Sequence, residues 1–289
     1  MGPSTPRPSL HHVALLGLCA TLVGPGCIRR QQSSDDPVLP LLAATDAAWA
    51  VRDRIGLDVA EEPLEEAYGL APGRPDVLWR LVRHQHAAGW TEPTDRARLF
   101  AWAEARSLGL DCLTADPEVA TTRQRRGWQE AIPLVDGSAE EACLAWTSLV
   151  WARWLALIDT GAAAIDLPVA RAFSARASDL SDPELAFLGT WSTALLDATA
   201  PTWADGDATS ALASLEVLIE QHPDELILQV DRVRWTGSVL TPRYRSELLS
   251  ALKEASPRTP EARAAVESLL EAGANTADPV DTEGAGAER

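Results

Sequence analysis

The sequence predicts an all-α protein built of stacked antiparallel helical hairpins, an α-solenoid, and three observations carry that reading. Ala60, Leu64, Ala67 and Pro72, followed by Pro75-Asp76, Leu78, Val82 and Gly89, recur as Ala211, Leu215, Leu218 and Pro223, followed by Asp224, Leu226, Val230 and Gly237. Steps of three and four residues put the apolar side chains on one helical stripe, and each proline stops one helix before the next begins. The composition, 46% hydrophobic with Ala and Leu prominent, shows little alternation of β-branched with polar residues, which argues against strands. A lone hairpin cannot bury its stripe, so recurrence implies stacking, and such stacks usually hold partners.

The elements follow in order. Residues 1–26 read as an export signal: Arg7, His11 and His12 without an acid, the apolar run Val13 to Val23, then Gly24-Pro25-Gly26. That run is too short to cross roughly 30 Å of hydrocarbon as a helix. Gly26 before Cys27 resembles a lipoprotein box, and Gly24 with Gly26 also suits a general signal peptidase; either cut leaves Cys27 first, the expected lipidation site. Residues 27–39, with Arg29, Arg30 and several Gln, Ser and Asp, are expected to form a flexible tether.

A helical domain is expected over 40–273 and a disordered acidic tail over 274–289. Leu41 to Gly56, Val59 to Leu70, Asp76 to Gly89 and Asp95 to Leu110 read as four helices, the last with Arg98 where the repeat would place alanine. Asp116 to Gly137 reads as the least regular stretch, from its Asp-Pro and Asp-Gly turn signals. Ser138 with Glu141 matches a capping box opening a helix to about Thr160, and the bulk of Trp146, Val150, Trp151 and Trp154 on several sides makes it a central helix. Pro168 to Ala177, Pro183 to Thr199, the second repeat copy, Thr241 to Ala255 and Pro260 to Gly273 complete the helices, with a turn over Pro201 to Asp207.

Charge and motif content narrow the function. A net charge of -17 excludes nucleic acid as a natural partner and disfavours lying flat on an anionic membrane. Almost every basic residue is arginine, Lys253 being the exception, a usage that genome composition accounts for. There is no Gly-x-Ser-x-Gly elbow, His-Glu-x-x-His helix or phosphate-cradling glycine loop, and the five histidines include two in the leader. His84 and His86 lie roughly 200° apart around a helix and cannot share one ion. The expectation is a protein that is not an enzyme and needs no cofactor or metal.

The binding candidates are Trp79 and Trp90, the more exposable of eleven tryptophans, and the basic cluster Arg123, Arg125 and Arg126. In an exported protein Cys112 and Cys143 would form a disulfide if their Cα atoms lie within about 7 Å, and otherwise stand as two buried thiols.

From Pro40 to Ser256 the order of motifs resembles the T component of TRAP transporters, exported lipoproteins with tetratricopeptide-like hairpins. The resemblance rests on a lipidated Cys27, Trp49-x-x-Arg52, Leu70-Ala71-Pro72, Gly89, Trp102 to Ala105, Ala145-Trp146 with Trp151, Gly189 with Pro201, and Gly206-Asp207 through Pro223. It implies a periplasmic protein lipid-anchored at Cys27, with the outer membrane favoured because Ile28 is not the retention aspartate. It also implies assembly as a homotrimer and association with the solute-binding protein of a TRAP transporter. Two other roles fit the same residues: a general scaffold for envelope assembly, and a stand-alone carrier of an apolar ligand.

Overall fold

A computed structural model describes residues 36–158 and 160–275. The expected leader, Cys27, most of the 27–39 tether and the tail from 276 lie outside the described residues. The chain divides into two units, Met1–Asp36 and Pro37–Arg289, and the helices below belong to the second. Among the described residues there are fourteen α-helices and no β-strand, so the protein is all-α.

Each local pair of helices exists because neither member can bury its apolar stripe alone. α1 (Val38–Ala50) packs on α3 (Asp58–Leu70), with the short α2 (Arg52–Ile55) between them closed by Gly56 at φ 84°. α3 buries Ala60, Leu64 and Ala67, and α11 (Ala208–Gln221) buries Ala211, Leu215 and Leu218. These are the positions that recur in the sequence. The second members diverge: α4 (Pro75–Thr91) keeps Gly89 inside the helix, whereas α12 (Leu226–Trp235) ends before Gly237.

Gly89 lets the Trp102 ring of α5 (Asp95–Leu113) lie against the α4 backbone, where a methyl group would overlap the indole. Trp102 Nε1 then donates to the His86 carbonyl at 3.2 Å. The central helix is α8 (Ser138–Leu157), around which α4, α5, α9 (Thr160–Ser178) and α10 (Pro183–Thr199) pack. A disulfide between Cys112 and Cys143, Cα atoms 6.2 Å apart, ties α5 to α8. Gly189 brings α10 onto the backbone of Ala177 and Ser178 at the end of α9.

After α13 (Pro242–Glu254), α14 (Pro260–Asn275) packs on α12 and returns to α4. The stack is thereby closed into a ring of α4, α8, α10, α12 and α14. Arg98, the residue that interrupts the repeat, is buried and uses this closure, donating to Asp95 at 3.0 Å and to Ser268 of α14 at 2.8 Å. No helix among the described residues is long and apolar enough to cross a membrane.

Five local expectations are corrected. The helical body starts at Val38, inside the expected tether, because Val38 and Leu42 fill an apolar cluster with Leu64, Ala67 and Val77. The helix expected over Leu41 to Gly56 breaks at Val51, whose φ of -118° leaves the helical region. The stretch from Asp116 is helical, as α6 (Pro117–Arg126), α7 (Trp128–Ala131) and a 3-10 turn (Ile132–Leu134): Asp116 caps the Glu118 and Val119 amides, so the Asp-Pro pair starts a helix. The Ser138 capping box does not form; Gly137 holds the cap position and Ser138 is the first helical residue. Pro168 lies inside α9, where burial of the neighbouring Leu167 and Ala170 holds the helix across the missing amide.

Gly189→Ala is expected to cost about 1–3 kcal/mol, since the methyl meets backbone that cannot move aside, read as a lowered thermal midpoint. Breaking the disulfide with Cys112→Ser and Cys143→Ser, a sequence separation of 31, is expected to cost about 3–4 kcal/mol. A melt of the unmodified protein with and without reductant checks it.

Candidate functional site

A cavity of about 520 Å3 opens at the end of the ring where α8, α10, α12 and α14 begin. Its lining comes from both ends of the chain. Trp49 and Arg52 enter from α1 and α2, Trp79, Arg83 and His86 from α4, Trp146 from α8, Phe187 and Trp191 from α10, and Glu225 and Glu261 from the starts of α12 and α14.

One wall is made of arginines laid on indoles. Arg52 Cζ sits 4.2 Å from the Trp49 ring centroid, and Arg83 Cζ lies 4.4 Å from the Trp49 and 4.8 Å from the Trp79 centroids. Asp46 fixes this wall from behind, accepting from Arg80 Nε at 2.9 Å and Arg83 Nη2 at 2.9 Å. Burial pushes the Asp46 carboxyl up, but the hydrogen bonds and charges of Arg80 and Arg83 outweigh it and hold the group below the usual carboxylate range. Burial pulls Arg83 down to about 10, against the pull of Asp46 and helped by the charges of Arg80 and Arg52. The guanidinium still carries its proton at neutral pH.

Behind the lining residues His86 and Trp191 lies a buried ion pair, the floor on which they rest. Arg153 of α8, 1% exposed, donates to both carboxylate oxygens of Asp231 of α12, Nη1 to Oδ1 at 2.5 Å and Nη2 to Oδ2 at 2.7 Å. Trp191 Nε1 donates to Asp231 Oδ2 at 2.8 Å, so one cavity-lining indole is oriented by this pair. Arg153 Nε also donates to His86 Nε2 at 3.4 Å. Burial, and then the charge of Arg153, hold His86 well below the usual imidazole value. The ring is neutral, with its Nε2 lone pair turned to the floor and its face 5.7 Å from that of Trp146.

The far corner is acidic. Glu261 Oε1 accepts from Arg52 Nε at 2.7 Å. Burial, and then the neighbouring charge of Glu261, raise the Glu225 carboxyl above its usual value, against the Ile227 amide and the charges of Arg52 and Arg153. Phe187 and His222, ring centroids 4.1 Å apart, line both this cavity and a shallower groove between α10 and α11.

The sequence-chosen residues divide. Trp79 lines the cavity. Trp90 does not reach a surface: it is fully buried, edge-on to Trp102 at 5.4 Å and beneath Arg153. Its place near the end of α4 looked like a helix terminus next to a turn, but α5 and the Arg153 floor cover it. Arg123, Arg125 and Arg126 form the last turn of α6, away from the cavity lining, where their charge suits the helix C-terminus and Arg123 stacks 4.9 Å from the Trp128 centroid. Sequence reasoning missed Arg83, His86, Phe187, Trp191, Glu225 and Glu261 as cavity residues. Only Trp49-x-x-Arg52 and Trp146 carried a signal, through position in the motif order. No family model matches the chain, and no curated protein matches it in sequence.

Asp231→Asn is expected to cost about 3–5 kcal/mol, because it leaves the Arg153 guanidinium buried without an anion. In denaturant unfolding, Arg153→Met combined with Asp231→Leu should lose less than Asp231→Asn alone.

Proposed function

We propose that this protein is a non-catalytic binding protein that holds a small organic ligand in the tryptophan-lined cavity. Its role is that of an exported, Cys27-anchored accessory to solute uptake, partnered with a periplasmic solute-binding protein of the TRAP type. The observation that carries the ligand-binding part is the cavity itself. Its volume of about 520 Å3 falls within the roughly 300–1,000 Å3 usual for small-molecule sites, and its lining is aromatic with a few convergent charges.

Three of the polar lining groups are engaged within the protein. His86 has its Nε2 turned to Arg153, Arg52 is engaged by Glu261, and Asp182 caps α10 through the Glu184 and Leu185 amides. A general base needs a free lone pair within reach of a substrate proton, and these groups are committed elsewhere. The uptake role, the anchor and the trimer rest on the motif order and the leader sequence. A scaffold for envelope assembly is the competing role, and it gives the cavity no task.

Cross-linking in intact cells followed by capture of the full chain tests the role. Recovery of a periplasmic solute-binding protein, and loss of membrane association in Cys27→Ser, is the expected result. Recovery of envelope-assembly proteins alone would overturn it.

A further inference from the structure

Resting on the reading that the cavity holds a small molecule, we propose that this molecule is an organic cation. An amine or quaternary ammonium group on a compact apolar body would place its head against Glu225 and Glu261 and its body against the tryptophans.

One oxygen of that corner is left unpaired. Glu261 is 4% exposed and lines the cavity; its Oε1 is taken by Arg52, while its Oε2 is buried with no hydrogen-bond partner. Glu225 stands beside it, close enough for the two carboxylates to repel. Arg153 gives both of its terminal nitrogens to Asp231 and acts on Glu225 only through its charge, and Arg83 is paired with Asp46, which it shares with Arg80. Of the two carboxylates only Glu261 is hydrogen-bonded by a guanidinium, and its Oε2 remains buried in the cavity wall without a donor. The start of α12 eases the ionisation of Glu225, yet its carboxyl remains raised.

Each alternative ligand class leaves that oxygen unmet. A carboxylate ligand placed in that corner adds a third negative charge beside Glu225 and Glu261. A neutral ligand with no hydrogen-bond donor excludes water and leaves Glu261 Oε2 buried and unpaired, which is unfavourable. A cation meets Glu261 Oε2 with an opposite charge, and the Trp146 ring in the cavity lining adds attraction to it.

Calorimetric titration of the full chain with choline, with dimethylbutanol as its uncharged carbon isostere and with butyrate, decides the class. Choline is expected to bind at least about tenfold more tightly than dimethylbutanol. Glu225→Gln should erase that preference without lowering the thermal midpoint, because it removes an under-compensated charge. Ala142→Trp, which fills the cavity from α8, should abolish binding of all three. Equal binding of choline and dimethylbutanol, preference for butyrate, an unchanged preference in Glu225→Gln, or no binding of choline or of the larger benzyltrimethylammonium would overturn the cation assignment. The partner capture described above is independent of these titrations, so the uptake role stands or falls separately.

Discussion

The buried pair of Arg153 and Asp231 is the interaction on which the rest of the architecture depends. It joins α8 to α12 through the middle of the ring, and through Trp191 and His86 it also fixes α10 and α4. Desolvating two charges costs several kcal/mol per ion, so a pair of this kind gains little as a stabiliser over an apolar replacement. Its effect is on arrangement. An arginine that must meet one carboxylate, one indole and one imidazole admits a single relative placement of four helices, where apolar contacts alone would tolerate sliding.

The same logic explains how an acidic protein uses its arginines. Guanidinium planes lie over indoles repeatedly: Arg52 on Trp49, Arg80 on Trp79, Arg106 on Trp154 at 3.9 Å, Arg123 on Trp128 and Arg153 on Trp90. A flat, weakly hydrated cation can stack in this way and still donate to a carboxylate from its edge, which a lysine ammonium cannot do as well. Whatever made arginine the prevailing basic residue, the fold uses its planarity as interior packing. The negative charge is left largely to the surface, and the cavity corner is the exception.

How much was legible follows from the range of each interaction. The hairpins could be read because a helical stripe is a local pattern, and α3 and α11 bury the three positions that recur in each. Local signals misled where one motif has two uses: Asp116-Pro117 reads equally as a turn or as a capped helix start, and only the packing of Val119 decides. The site was largely illegible because it is assembled across the chain. Arg52 and Glu261 are 209 positions apart, and Arg153 and Asp231 are 78 apart; no spacing rule connects them. Trp90 was misjudged for the same reason, its cover being Arg153, a residue with no mark of its own in the sequence.

Closure of the ring makes the cavity and buries Glu261 Oε2 in its wall without a partner. An open stack would leave the starts of α12 and α14 in water, where Glu225 and Glu261 would be ordinary dipole-complementing acids. The return of α14 onto α4 brings both carboxylates to the tryptophan wall, with Glu261 buried and Glu225 partly so. Arg52 offsets one of the two charges. The cation proposed above would meet Glu261 Oε2 of α14 and so strengthen the contact between the first and last parts of the chain. Binding at this end and closure of the ring would then be coupled, and each would favour the other to the same extent.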